Sequence, residues 1–206
     1  MPELDLPFQW DDGTCISPFV PTTGDSVVEL AAWIDRSVLP RSSTCTMRVT
    51  DLGCGDGTPL LVLCAELFSG RGPKYPLEVM AVGFDIDEGL VAKAKRAADE
   101  AASVVPPPHI LRHNFAVADL RETDIEKYFP VDEADGHVLF LYLLPDALEI
   151  IREMLLKVIR RVRMLVSNRW DLPFLCEWKV GQLNTLHIYC YNDEARKTWA
   201  QDLSSG

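Results

Sequence analysis

Between residues 48 and 167 the chain repeats one pattern. A short apolar run ends in a polar or acidic residue, and a longer stretch with apolar positions three and four apart follows it. The apolar runs at 48–52, 78–85, 109–113, 136–143 and 162–167 predict strands. The run at 136–143 is almost continuously apolar, as expected of a strand buried on both faces. The stretches at 59–68, 88–102 and 146–159 predict helices, and 124–128 a shorter one. Pro59 occupies a tolerated first-turn position, and Asp87 is a ready N-cap. Upstream, Asp25 is placed to cap a helix over 26–37, with Val27, Leu30, Ala31 and Ile34 on one face. Downstream, 177–181 and 185–190 predict a hairpin. Residues 69–76 read as a Gly/Pro loop, and three consecutive prolines at 106–108 break the chain before the third strand.

Strands alternating with helices predict an α/β fold with a doubly wound, mostly parallel sheet and right-handed crossovers. The terminal hairpin adds antiparallel strands, seven in all. A length of 206 residues suits one structural domain. Within it, 1–46 are expected to form a lead-in and helix, and 47–206 the core. In such sheets a ligand sits beyond the carboxyl ends of the strands, where the strand order reverses.

The first strand ends in Asp51-Leu52 and runs into Gly53-Cys54-Gly55-Asp56-Gly57. Glycine permits positive φ and lets a ligand approach the backbone closely. A dinucleotide fingerprint, G-x-G-x-x-G, would need glycine at position 58, which is threonine. Asp85 ends the second strand, where a carboxylate can accept both hydroxyl hydrogens of a ribose. Ile86 follows it. Asn114 and Phe115 come after the third predicted strand, where an amide can pair with an adenine edge and a ring can pack on its face. Asp51 is placed to hold the turn or to receive a ligand ammonium. Tyr142 lies at the end of the fourth predicted strand and Trp170 follows the fifth, with Asp146 and Asp171 beside them.

Composition narrows the partners. A net charge of −11 disfavours nucleic acid, whose non-specific affinity comes from phosphate neutralisation by Lys and Arg. The six cysteines show no C-x-x-C pair and no zinc spacing with the four histidines, so no metal site is expected. Scattered cysteines suit a reducing compartment, and the acidic N-terminus resembles neither a secretory signal nor a transit peptide. A cytoplasmic location is expected. The longest apolar run, 138–144, is far short of the roughly 20 residues that span a bilayer.

Several segments together resemble one family of class I S-adenosylmethionine-dependent methyltransferases, the lysine methyltransferases of the ATP synthase c subunit and the adenine nucleotide translocase. The segments are Pro18-Phe19-Val20-Pro21-Thr22, the Asp51–Gly57 turn, Gly83-Phe84-Asp85-Ile86-Asp87, Leu141-Tyr142-Leu143-Leu144-Pro145 and Ser167-Asn168-Arg169-Trp170. The resemblance runs from about residue 18 to 191. It implies a Rossmann-like class I methyltransferase fold, S-adenosyl-L-methionine as cofactor, a lead-in that closes over the site, and a protein substrate with a target lysine. It assigns cofactor binding to Pro21, Thr22, Asp51, Gly53, Gly55, Asp85, Ile86, Asn114, Phe115 and Tyr142, and acceptor-site roles to Tyr142 and Trp170. Asn114 stands where that family carries an acid. A mitochondrial location would also follow from the family, although no targeting segment is seen. Two other readings are open: a small-molecule methyltransferase, and a methyltransferase-like protein that binds without catalysis.

Overall fold

The computed structural model describes residues 24–40, 44–130 and 136–204. Helix α1 (Gly24–Trp33) passes into a five-residue π turn, Ile34–Val38. Then β1 (Cys45–Leu52), α2 (Thr58–Arg71), β2 (Leu77–Asp85), α3 (Glu88–Val104) and β3 (Ile110–Val117) alternate. They are followed by β4 (His137–Leu141), α4 (Pro145–Ile150), α5 (Arg152–Val158) and β5 (Met164–Asn168). The hairpin β6 (Lys179–Leu183) and β7 (Leu186–Tyr189) and helix α6 (Asp193–Ser204) complete the chain.

The seven strands lie in the order β3-β2-β1-β4-β5-β7-β6. β1 to β5 are parallel, and β7 runs antiparallel to both β5 and β6. This is the doubly wound, mostly parallel sheet that the alternation predicts, with the C-terminal hairpin on one edge. The order reverses between β1 and β4, so the crevice that can take a ligand opens at the carboxyl ends of β1, β2 and β4.

Two apolar layers hold the sheet. Val27, Leu30, Leu63, Leu67, Val91, Ala94 and Trp199 cover one face from α1, α2, α3 and α6. Leu148, Leu155, Val158 and Leu175 cover the other from α4, α5 and the segment after β5. β4 and β5 are buried along their whole length. Such strands need apolar residues on both faces, which accounts for the continuous apolar run in the sequence.

Several element ends differ from the sequence reading. β3 runs to Val117 instead of stopping at 113, because its whole length pairs with β2. β4 stops at Leu141, and the predicted helix at 146–159 is broken at Ile151, whose φ of −93° and ψ of 9° are not helical. The predicted loop at 69–76 is shorter, since α2 continues to Arg71 and ends on Gly72 at φ 61°. The sequence pattern carried no expectation for α6. Asn192 Oδ1 accepts from the amides of Glu194 and Ala195 and so starts it. Trp199 then packs edge-on against Trp33, with centroids 5.5 Å apart, and donates to the Ser37 carbonyl at 3.1 Å.

A buried ion pair fixes the N-terminal helical segment to the core. Arg71, at the end of α2, meets Asp35 at 3.3 Å and the Pro40 carbonyl at 2.9 Å. Both side chains are almost fully enclosed. No helix among the described residues is long and apolar enough to cross a membrane.

Candidate functional site

The glycine turn is built by three positive-φ residues, Gly53 at 81°, Gly55 at 54° and Gly57 at 79°. This is backbone that side chains with a Cβ rarely adopt. It brings the Gly53 and Cys54 amides to one acceptor, the Phe84 carbonyl, at 2.8 and 3.0 Å. The turn therefore hangs on the carboxyl end of β2. It closes with Gly57 N–H on the Cys54 carbonyl at 2.9 Å. Asp56 Oδ1 accepts from the Thr58 amide at 3.0 Å, a local turn bond beside Gly57, which is the N-cap of α2.

Asp85 sits at the tip of β2 with its carboxylate against the turn. Oδ2 accepts from the Gly55 amide at 2.7 Å, and Oδ1 from the Asp87 amide at 3.0 Å. Asp87, not Asp85, caps α3, accepting from the Leu90 amide at 2.8 Å. Each carboxylate oxygen offers two lone-pair directions. Asp85 thus retains acceptor capacity for hydroxyl groups after serving both amides. Ile86, beside it, is an exposed apolar side chain, 40% accessible.

Asp51 is the penultimate residue of β1, in register with Gly83 of β2 and Phe140 of β4. It is 2% exposed, and its Oδ1 is buried without a hydrogen-bond partner. Burial, aided by the negative charge of Asp85, pushes its carboxyl up to about 8. Cys54, between two glycines, is also buried, and burial together with Asp51 and Asp85 drives its thiol far above the usual range. It fills space and is not poised as a nucleophile.

Phe115 lies beneath the turn and is 2% exposed. A Cβ on Gly83 would fall 2.3 Å from its ring, and one on Gly57 3.2 Å away. Its ring therefore packs under the turn, against Gly57 and Gly83. Asn114 is exposed in mid-strand, paired with Val82 on the edge strand. The carboxyl end of β3 is three residues further on. There the Ala118 amide donates to the Asp85 carbonyl at 2.8 Å, and Asp119 follows. Asp119 is thus the acid that follows β3. Its two oxygens grip the Arg121 guanidinium at 2.6–3.2 Å, which holds its carboxyl below the usual range. The signal was available as Ala118-Asp119-Leu120, but the strand was ended four residues too early.

Tyr142 and Trp170 both lie just past the carboxyl ends of adjacent strands, β4 and β5. Tyr142 packs against the layer of α1, α2 and α3, and Trp170 against the opposite layer. No ring-to-ring contact joins them among the described residues. Leu143 completes this lip. A Cβ on Gly53 would meet its Cδ2 at 2.5 Å. Pro21 and Thr22 lie outside the described residues.

The turn that carries Trp170 is tied down at every residue. Arg169, in left-handed backbone at φ 72°, donates its amide to the Thr185 carbonyl at 2.6 Å. The Trp170 carbonyl accepts from Ser167 Oγ at 2.7 Å. Asp171 accepts from the Tyr189 hydroxyl and from Lys179 at 2.8 Å. The Leu172 amide donates to the same Tyr189 oxygen at 2.7 Å. Burial would raise the Asp171 carboxyl, but the hydrogen bonds from Lys179 and Tyr189 hold it below its usual range.

No cluster of metal-ligating side chains occurs among the described residues. Cys45, Cys54, Cys64, Cys176 and Cys190 are free thiols.

No protein-family model matches the sequence, and no curated protein does either. Solved structures do. The chain is similar to the human methyltransferase 10 domain containing protein at 11% identity, covering 85% of each chain with a TM-score of 0.55. It is similar to the METTL16 MTase domain at 12% identity, covering 85% of this chain and 71% of that one, again with a TM-score of 0.55. An RNA methyltransferase from Salinibacter ruber in complex with S-adenosyl-L-homocysteine aligns at 25% identity over 82% of this chain and 91% of that one, with a TM-score of 0.45. The first two likenesses establish the fold: the chain has the seven-stranded, Rossmann-like architecture of the methyltransferases.

Proposed function

We propose that the protein is an S-adenosylmethionine-dependent methyltransferase that methylates the side-chain amine of a lysine in a protein substrate. One observation carries the cofactor part. At the switch point of a methyltransferase fold, the Gly55 amide ties the glycine turn to Asp85 while Asp51 keeps a buried oxygen free. The residues present fit the cofactor. Asp85 has acceptor capacity for the ribose hydroxyls, Asp51 for the methionine ammonium, and Asp119 for the adenine amino group. Ile86 supplies apolar cover for the ring. The positive-φ glycines remove the Cβ atoms that would keep the ligand off the backbone.

When bound, the cofactor supplies a methyl group already activated on a sulfonium. The protein then has to orient the acceptor and exclude water. The acceptor nitrogen must arrive with its lone pair free, and an apolar, aromatic lip disfavours its protonated form. Tyr142 and Trp170 border that lip, with Trp170 held by the Asp171–Tyr189 and Ser167 contacts. The protein-lysine acceptor rests on the family resemblance and on the net charge of −11, which suits a basic partner better than nucleic acid.

The test is calorimetric titration with S-adenosylmethionine and with NAD, followed by incubation of cell lysate with methyl-labelled cofactor. The expected result is micromolar binding of S-adenosylmethionine alone and labelled protein bands that are lost when the lysine amines of the lysate are acetylated before the reaction. Label in small molecules only would move the acceptor class. Cofactor binding with no label anywhere would leave a binding protein. Absence of binding would overturn the reading.

A further inference from the structure

We propose that Arg169 binds a carboxylate of the acceptor protein, so that the enzyme prefers a target lysine with an acidic residue close by in sequence. This rests on the protein-lysine reading and deepens it by naming a class of substrate sequence.

Arg169 immediately precedes Trp170 on the turn past the carboxyl end of β5. Its side chain is exposed, and its guanidinium carbon lies 5.8 Å from the centroid of the Trp170 ring. Such a contact leaves the guanidinium N–H donors available to a further partner. No carboxylate among the described residues pairs with it. Asp171, two positions on, is engaged by Tyr189 and Lys179 instead. The chain carries 31 acidic residues against 20 basic ones, so a cation without counter-charge beside the acceptor lip departs from the prevailing sign.

The backbone gives a second, independent observation. Arg169 has φ 72°, and the other non-glycine residue at positive φ among those described is Asn184. Asparagine tolerates that region and glycine enters it freely, whereas arginine is uncommon there. The turn does not need the arginine side chain. Its amide makes the bond to the Thr185 carbonyl, and Thr185 is itself fixed by Asn168 Oδ1 at 2.8 Å and Ser26 Oγ at 3.1 Å. A glycine at 169 would make the same turn at lower steric cost. The guanidinium therefore answers to something outside the fold.

Its planar fork of donors matches a carboxylate bidentately. A nucleic-acid phosphate would offer similar oxygens, but the net charge of −11 opposes a polyanion. A lysine-bearing protein can bring a single carboxylate on the same segment as the amine. An extended chain advances about 3.3–3.6 Å per residue, so an arginine one position from the lip reaches an acid within about three residues of the target. The ion pair fixes the register of the segment and so decides which lysine enters.

The test incubates cell lysate with methyl-labelled S-adenosylmethionine and maps the methylated lysines by mass spectrometry. It compares wild type with Arg169→Gly, Arg169→Lys and Arg169→Glu, each first titrated with the cofactor and melted. Cofactor affinity should be the same in all four. The wild-type sites should carry Asp or Glu within about three residues of the lysine. Arg169→Gly should melt no lower than wild type, since glycine suits positive φ, yet label those sites about tenfold more slowly. Arg169→Lys should keep part of the rate, and Arg169→Glu should move the label toward lysines flanked by Lys or Arg. Wild-type sites without acidic neighbours, or undiminished labelling by Arg169→Gly, would overturn the inference and leave the lysine methyltransferase reading intact. A much lower melting point for Arg169→Gly would assign the side chain to the turn and also overturn it. Label confined to RNA or small molecules, or no label, would overturn the protein-lysine reading and the inference with it.

Discussion

The Asp85 carboxylate accepts the Gly55 amide hydrogen at 2.7 Å, joining the tip of β2 to the middle of the glycine turn. Its other oxygen serves the Asp87 amide at the start of α3. One side chain therefore organises the turn, caps the strand and faces the crevice. Asp85→Ala should lower S-adenosylmethionine affinity by tenfold or more and cost about 1–3 kcal/mol of stability, since two amides lose a charged acceptor. Titration calorimetry and urea unfolding would read the two effects separately. Unchanged affinity would remove Asp85 from the ligand site.

Gly83 faces Phe115 across β2 and β3, with the ring occupying the space a Cβ would need. Gly83→Ala should destabilise the protein by at least about 1–3 kcal/mol through overpacking. Phe115→Leu in the same chain should recover part of that loss. A double-mutant cycle checks it, and purely additive effects would show that the two positions do not share the space.

Asp119 is the acid at the true carboxyl end of β3, and Arg121 holds it ionised. Asp119→Ala should weaken S-adenosylmethionine binding by about 3–10-fold, the loss expected for one hydrogen bond to the adenine edge. Asn114→Ala should leave it unchanged. The opposite ranking would return the role to Asn114.

Two buried groups give stability opposite pH dependences. His137 is fully buried, shares a hydrogen bond with Thr50 Oγ1 at 2.8 Å and stacks on Phe129. Burial, with help from Arg48, lowers its pKa to about 3. The unfolded state binds a proton there from about pH 6.5 downward, so this contribution is present above 6.5 and lost as pH falls toward 3. Asp51 has the opposite sign. Its folded pKa is raised, so its contribution is full below about 4 and lost as pH rises through 8. Asp51→Asn should therefore gain a few kcal/mol relative to wild type at pH 8 and little at pH 4. Urea unfolding at pH 4, 6 and 8 gives the comparison, and equal differences at all three would contradict the buried-proton account.

Asp35→Ala should cost about 3–5 kcal/mol, because it leaves the Arg71 guanidinium enclosed without its counter-charge. Thermal unfolding would measure it. Asp35→Ala together with Arg71→Met should be milder than the single change.

Periodicity placed most of the framework correctly. Block alternation located β1, β2, β4, β5 and the hairpin to within a few residues, because a parallel sheet demands apolar runs wherever both faces are buried. It did not locate the end of β3. That edge strand is exposed at Ile110, Arg112, Asn114 and Val117, so its apolar signal fades while its pairing with β2 continues. The same loss of signal put the residue that follows the strand at 114 in place of 118. Helix α6 was missed because Trp199 is its one fully buried residue, with Ala195, Ala200 and Leu203 only partly buried, and Trp199 meets Trp33 more than 160 positions away.

By itself the sequence determined the fold class, the glycine turn and the acid at the tip of β2. Each of these depends on local chemistry: glycine where φ must be positive, apolar runs where strands are enclosed, and a polar residue where a strand meets the crevice. Only the tertiary structure decided which acids do what. Asp85 holds the turn because the Gly55 amide faces it, and Phe115 is a support because Gly83 lies beneath its ring. Asp51 keeps an unpartnered oxygen because no cation in the described fold reaches it. Partners brought together from distant parts of the chain set those roles, and spacing along the chain does not encode them.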